Sequence, residues 1–179
     1  KGDLFLPPLW ASAKLAILSA SISIGIALLC GYVERHHPSD RIRSLLSLLC
    51  NLPISFSSIL LSFALLLAYV EIPVVLSGTL FGAALVLSVL MLPIVYRPIS
   101  DGWRAVSDET LKGSFSLGAG SWQTFRRVEL PLLYRPVFFS SLLGIGFALG
   151  EVGAVMMFYS HDTSTLTLWL DTAQISLMP

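Results

Sequence analysis

The sequence is poor in charged residues. Only 12% of its 179 residues are Asp, Glu, Lys or Arg, whereas soluble domains average about 25%. Hydrophobic residues make up 55% of the chain, and the formal net charge is zero. The absence of a basic excess gives no reason to expect a nucleic-acid partner. The composition predicts a multi-pass protein of the lipid bilayer rather than a soluble domain.

The sequence also lacks the common motifs of catalysis and nucleotide binding. It contains no G-x-x-x-x-G-K-[ST] loop for phosphates, no H-E-x-x-H zinc motif and no G-x-S-x-G nucleophile elbow. Its two cysteines, Cys30 and Cys50, fall in apolar segments, which favours buried free thiols over a disulfide. His36 and His37 are adjacent on a polar loop without a further ligand pattern. We therefore predict no enzymatic activity, no metal site and no cofactor.

Long apolar segments dominate the rest of the chain. Because a helix rises about 1.5 Å per residue, roughly 20 apolar residues cross a hydrocarbon core of about 30 Å. Four segments meet this length, and they predict spans at residues 9–33, 44–70, 74–96 and 136–159. The fold class predicted is an all-α, polytopic membrane helix bundle of four transmembrane helices. A polar segment from His161 follows the fourth span, with Trp169 at a position typical of an interface.

Two of the predicted spans carry a stripe of small or polar residues. In the first span the stripe favours close packing of helices over contact with a substrate; its members are Ser12, Ala16, Ala20, Ser23 and Ala27. In the second span the stripe predicts one shared helical face, with a kink or local break near Pro53; its members are Asn51, Ser55, Ser58 and Ser62. Hydrogen bonding between helices and the lining of a translocation pathway are both open interpretations of the second stripe.

The fourth predicted span contains a carboxylate, Glu151, beside the G-xxx-G pair of Gly146 and Gly150. The glycine spacing predicts a close approach of two helices. A charged side chain costs about 2.5–3.5 kcal/mol at the centre of a membrane helix, so its presence calls for a reason. One reason is a role as a gate or substrate contact, and the other is a structural hydrogen bond near the interface.

Basic residues are concentrated in two of the loops. Nine of the eleven Lys and Arg residues lie there: Arg35, Arg41, Arg43, Arg97, Arg104, Lys112, Arg126, Arg127 and Arg135. The positive-inside rule therefore predicts that both loops are cytoplasmic.

The second of these loops includes a polar segment, Asp108–Pro131, that predicts two short helices. Ser107 is suited to cap the first helix ahead of two carboxylates, and Gly118 is suited to end it. The second helix is predicted to begin at Ser121 and to stop at Pro131.

This segment resembles a signature in the permease subunits of binding-protein-dependent ABC importers, written E-A-A-x3-G-x9-I-x-L-P. Here nine residues separate Gly118 from the run Val128, Glu129, Leu130, Pro131. The E-A-A places hold Lys112, Gly113 and Ser114 instead. The continuations LLYRP and GFALGEVGAV are most similar to permeases for thiamine and ferric iron, and then to those for molybdate and sulfate.

The resemblance implies a MetI-like permease domain over residues 1–179, located in the inner membrane and forming a C-terminal half or fragment of a longer permease with a further span. It implies three protein partners: a separate ABC ATPase, a second permease half or subunit, and an extracytoplasmic solute-binding protein. Thiamine is the substrate it favours, with ferric iron or an oxyanion as alternatives. The apolar spans alone would also allow a membrane scaffold that transports nothing.

The resemblance further implies that the polar segment is a coupling helix that docks on the ATPase and moves the fourth span. The residues that carry this implied role are Asp108, Glu109, Thr110, Leu111, Lys112, Gly113, Ser114, Gly118, Leu130 and Pro131.

Overall fold

The structure, a computed structural model, describes residues 6–70 and 80–151, and in these ranges the chain is helical without any strand. The α-helices are α1 (Leu6–His36), α2 (Asp40–Asn51), α3 (Ser58–Val70), α4 (Leu80–Ala105), α5 (Asp108–Ser116), α6 (Ser121–Thr124), α7 (Leu130–Leu132) and α8 (Tyr134–Gly150). A 3₁₀ turn at Leu52–Ser55 follows α2, and a π-helical turn at Phe125–Glu129 joins α6 to α7. The all-α class is confirmed.

The core of the bundle forms where α1, α4 and α8 pack together. The small-residue stripe of α1 lies in this core, and all five of its predicted members are buried. Small side chains allow helix backbones to approach closely, so the predicted packing role is confirmed. The largest buried side chains of α4 include Leu87, Met91 and Tyr96.

Two helices are long and apolar enough to cross a membrane by themselves, Trp10–His36 and Leu80–Ala105. Two further candidates are bent pairs: α2 with α3, at 110°, and the Ser121–Leu132 segment with α8, at 57°. By length and composition the described residues therefore contain two candidate spans, or up to four if each bent pair is counted as one. The prediction of four spans therefore requires each bent pair to cross the membrane as a single span.

The second predicted span is not one continuous helix. Helix α2 ends at Asn51, the 3₁₀ turn contains Pro53, and α3 begins only at Ser58. Proline has no amide hydrogen to continue the helical hydrogen bonds, and here the chain changes direction by 110°. The prediction that Asn51, Ser55, Ser58 and Ser62 share one helical face is therefore wrong.

The third predicted span ends later than expected. Helix α4 continues past Tyr96 and includes Pro98, and its last turns bury Ile99 and Trp103 while Arg97 is exposed. Burial of one face stabilises the helix beyond the point where charged residues begin, which is why α4 continues past the boundary set by charge. Residues 74–79 of this prediction lie outside the described residues.

The fourth predicted span corresponds to α8 as far as Gly150, and Glu151 follows the helix with an extended backbone. The predicted close approach at Gly146 and Gly150 is not made within the described residues, because a Cβ at either position would meet no atom within 4 Å. Gly144 makes the close approach instead, since a Cβ there would lie 3.2 Å from Val95 Cγ2. Residues 71–73, 152–159 and the predicted interfacial segment from His161 lie outside the described residues.

Candidate functional site

Helix α5 begins with the cap that the sequence predicts. The Ser107 hydroxyl accepts a hydrogen bond from the Thr110 amide at 3.2 Å. Asp108 and Glu109 follow in the first turn, where negative charge interacts favourably with the helix dipole. The predicted start of the helix is confirmed.

The other end of α5 is closed by a glycine in the left-handed region. Gly118 has φ of +81°. Its amide donates to the Phe115 carbonyl at 2.9 Å, and the Ala119 amide donates to the Ser114 carbonyl at 3.1 Å. This pair of hydrogen bonds is a Schellman motif, which satisfies carbonyls at the end of a helix. The predicted role of Gly118 as the residue that ends α5 is confirmed.

The second short helix does not stop at Pro131 as predicted, because α7 continues to Leu132. The Leu130 amide donates to the Phe125 carbonyl five residues earlier, which widens the turn just ahead of the proline. A widened turn accommodates a residue that lacks an amide hydrogen. The chain bends by 57° only after this point, at Leu133.

The surface of these two short helices is mostly exposed and partly apolar. No residue of α5 is buried, although Leu111 and Ser114 are half-buried. Leu117 is 90% exposed and Trp122 is 69% exposed. Ser114 and Thr124 join the two helices through a hydroxyl hydrogen bond of 3.0 Å. Such a surface is suited to contact with another protein.

The last turn of α1 holds both short helices. The Arg35 guanidinium forms an ion pair with Asp108 and donates to the Val106 carbonyl at 2.8 Å. His36 Nε2 lies 3.3 Å from an oxygen of Glu129, whose side chain is only 2% exposed. The two predicted cytoplasmic loops are therefore at the same end of the bundle, as the charge distribution predicts.

A carboxylate also joins α1 to α4. Glu34 accepts hydrogen bonds from the Tyr96 hydroxyl and, at 3.3 Å, from the Ser100 hydroxyl. Hydrogen bonds to a charged group contribute about 1.5–3 kcal/mol each. Glu34 therefore fixes the end of α1 against α4.

An aromatic cluster packs beside this junction. Phe125 stacks on Trp103, with centroids 6.3 Å apart, and on Trp122 at 5.5 Å. Tyr32 meets the edge of Phe125 at 5.5 Å. Trp103 presses on α1 so closely that a Cβ at Gly31 would lie 2.3 Å from the indole ring.

A polar cleft of about 820 Å³ lies between α1, α2, α4 and α5. Four polar residues of α2 and Leu48 line this cleft, whereas Leu45 and Leu49 are exposed and do not line it; the polar four are Arg43, Ser44, Ser47 and Asn51. Asn51 accepts a hydrogen bond from Arg97 of α4 at 3.0 Å. An apolar outer face and a polar inner face are typical of a helix that separates lipid from a polar interior.

Residues 23–178 match the family described as binding-protein-dependent transport system inner membrane component. The chain belongs to this family. The family is described as a transport component of the inner membrane, which confirms the predictions of a transport family rather than an enzyme family and of an inner-membrane location.

Two kinds of relative illustrate the family. Over 157 residues the chain is 30% identical to the putative 2-aminoethylphosphonate transport system permease protein of Salmonella typhimurium, covering 83% of this chain and 59% of the relative. Over 50 residues it is 44% identical to the probable sulfate transport system permease protein of Chlorella vulgaris, covering 28% of this chain and 19% of the relative. The chain thus spans about three fifths of the length of the Salmonella relative.

The structure does not bring together the residues predicted to line a pathway. Asn51 bonds to α4, while Ser62 is buried and donates to the Ser58 carbonyl within α3. Ser55 is exposed, and Glu151 is half-buried just beyond α8. The interhelical bond of Asn51 agrees with the packing interpretation, and a lining role for this set stays a prediction.

Two other sequence interpretations concern cysteine and metal. Cys30 and Cys50 are free thiols, as predicted; Cys50 is buried, but Cys30 is only half-buried, so the predicted burial holds for one of the two. Among residues 6–70 and 80–151 no group of three His, Cys, Asp or Glu side chains is arranged to hold a metal ion.

Sequence reasoning missed the residues that attach the loop to the bundle: Glu34, Arg35, His36, Trp103 and Glu129. In the sequence, Arg35 served only as evidence for the orientation in the membrane, and Glu129 was only a variable position of the signature. The sequence contained one signal for these contacts. If the helix of the first span continues to residue 36, its charged end lies on the same side of the membrane as the Asp108–Pro131 segment.

Replacing Tyr96 with phenylalanine tests the link between α1 and α4. The change removes one donor from Glu34, and we expect the free energy of unfolding to fall by about 1–3 kcal/mol because a charged acceptor loses a partner. Thermal unfolding of the detergent-solubilised protein measures the effect. Tyr134→Phe is the matched control, because Tyr134 is exposed; an equal shift in both variants would contradict the prediction.

Proposed function

We propose that the chain is the membrane-spanning permease part of an ABC importer. In this proposal an extracytoplasmic binding protein delivers a small solute, a separate ATPase hydrolyses ATP, and the solute crosses beside a second permease half or subunit. The observation that carries the proposal is the exposed helix α5, capped at Ser107 and closed at Gly118 within the family's loop signature.

Helix α5 is the proposed contact with the ATPase. Its two caps make it a short rigid body, so a push on its exposed surface moves it as a unit. The proposed contact residues are those predicted from the sequence: Asp108, Glu109, Thr110, Leu111, Lys112, Gly113 and Ser114. Gly118, Leu130 and Pro131 shape the loop around them.

A small oxyanion is the substrate class that we favour. The two relatives are named for transport of 2-aminoethylphosphonate and of sulfate, and both of these solutes carry an oxyanion group. Thiamine and ferric iron stay predictions that rest on the sequence pattern alone. Uptake into proteoliposomes that contain the complete transporter, measured for a phosphonate, sulfate, thiamine and ferric iron in parallel, distinguishes these classes.

Protection of a single thiol tests the proposed docking. In a variant with Cys30 and Cys50 replaced by alanine, we expect Leu117→Cys to react with a membrane-impermeant maleimide only from the cytoplasmic side, because Leu117 is 90% exposed. Bound ATPase should slow this reaction about tenfold, since burial in a protein interface excludes the reagent.

Asp40→Cys is the control for reagent access at the same end of the bundle, because the Asp40 side chain is 93% exposed at the start of α2. We expect it to react equally with and without the ATPase. Labelling of Leu117→Cys from the outside, or at an unchanged rate with ATPase present, would contradict the proposal and favour a scaffold without transport.

A further inference from the structure

We propose that the last turn of α1 is a clamp that transmits movement of the coupling loop to the α1–α4 pair. The clamp consists of Arg35 and His36, which act as positioning residues through Asp108 and Glu129. This inference rests on the proposed permease function and adds the route by which loop movement reaches the bundle.

The first arm of the clamp holds the start of α5. Arg35 makes two different contacts there, an ion pair with the Asp108 carboxylate and a hydrogen bond of 2.8 Å to the Val106 carbonyl. A guanidinium that binds two acceptors at once fixes orientation as well as distance. Val106 is buried and directly precedes the cap of α5, so the helix and its point of attachment are held together.

The second arm holds the π-helical turn that follows α6. Glu129 is 2% exposed, and His36 Nε2 lies 3.3 Å from its carboxylate. His36 is also fixed from its other ring nitrogen, which lies 3.0 Å from the Tyr32 carbonyl. A buried carboxylate that loses its partner is costly, so this contact resists separation.

The two arms meet at one helical turn that is itself attached to α4. Glu34, the residue before Arg35, accepts hydrogen bonds from Tyr96 and Ser100. Three consecutive side chains of α1 therefore join α4, α5 and the π-helical turn. By contrast, the chain bends by 57° between α7 and α8. A rigid set of polar contacts transmits displacement better than a bend, which favours α1 and α4 over α8 as the first spans to move.

The test uses the complete transporter in proteoliposomes with its ATPase and binding protein. Because Arg35 contacts Asp108 of the proposed docking surface, ATPase association of the Arg35→Ala, His36→Ala variant is measured first, and uptake is then compared at saturating ATPase. We expect uptake per ATP hydrolysed to fall about tenfold, within the usual range of coupling between sites. Arg41→Ala, an exposed arginine of α2, is the matched control and should keep the parent ratio.

A covalent link distinguishes a loss of transmitted movement from a loss of protein stability. In a background with Cys30 and Cys50 replaced by alanine, His36→Cys and Glu129→Cys are joined by a short bifunctional thiol reagent. We expect the linked protein to regain most of the parent ratio of uptake to hydrolysis, and the unlinked variant to stay uncoupled. If the double alanine variant does not accumulate in the membrane, the comparison of linked and unlinked protein still tests the inference.

Either of two results overturns the inference: an unchanged ratio in the double alanine variant, or uptake that is blocked by the link. In both cases the ATPase would still associate and the proposed function would stand. Failure of the unsubstituted chain to bind any ATPase would overturn the proposed function and this inference with it.

Discussion

Replacing Gly118 with valine is expected to weaken binding of the proposed ATPase partner strongly while leaving membrane insertion unchanged. Gly118 adopts φ of +81°, a conformation that costs other residues roughly 1–2 kcal/mol and a β-branched residue more. Helix α5 has nine residues, too few to be stable without its caps. Loss of the Schellman motif should therefore unwind its last turn and weaken association about tenfold or more.

Co-purification of the ATPase and its stimulated hydrolysis are the measurements for this variant, together with the amount of protein in the membrane. Gly120→Ala is the matched control, because Gly120 has φ of −73° and open space around it. Normal association of Gly118→Val would contradict the docking role of α5. An equal loss in the control would point to general damage of the loop instead.

Replacing Gly31 with leucine is expected to have the largest effect on folding. A Cβ at this position would lie 2.3 Å from Trp103 Cδ1 and 2.6 Å from its Nε1. Trp103 is buried and is packed against Tyr32 and Phe125, so it has little room to move. Overpacking of this kind costs typically about 1–3 kcal/mol and occasionally more. We expect separation of α1 from α4 and loss of folded protein.

The same substitution six residues earlier in α1 provides the control. Gly25 lies in α1 as well, but a Cβ there would meet nothing within 4 Å. Gly25→Leu should insert and fold like the parent, as judged by the monodispersity and thermal unfolding of the solubilised protein. A Gly31→Leu variant as stable as Gly25→Leu would show that Trp103 does not pack on α1 in this way.

Local features of the loop were predictable from the sequence. Ser107 and the two carboxylates after it define the start of α5, and Gly118 defines its end, because caps depend on residues within one turn of each other. The packing stripe of α1 was also predictable, since small residues at helical spacing identify a packing face even when the partner helix is not known. The signature around Gly118 then identified the family that residues 23–178 match.

Helix boundaries near proline and charge were less predictable. A kink or local break was expected at Pro53 and a break is found, but the sequence did not reveal that the chain turns there by 110°. Pro131 was expected to end a helix, but a widened turn accommodates it. Each outcome depends on whether neighbouring helices can satisfy or bury the affected backbone, which residue type alone does not reveal.

By itself the sequence determined that this chain is a bundle of membrane helices with a capped polar loop, because hydropathy and capping act over short distances along the chain. Only the tertiary structure decided which polar and charged side chains form pairs across long stretches of sequence. Arg35 and Asp108 are 73 residues apart, and Glu34 and Tyr96 are 62 apart. Their pairing depends on how α1 lies beside α4 and α5, and that arrangement follows from packing of whole helix faces rather than from any local pattern.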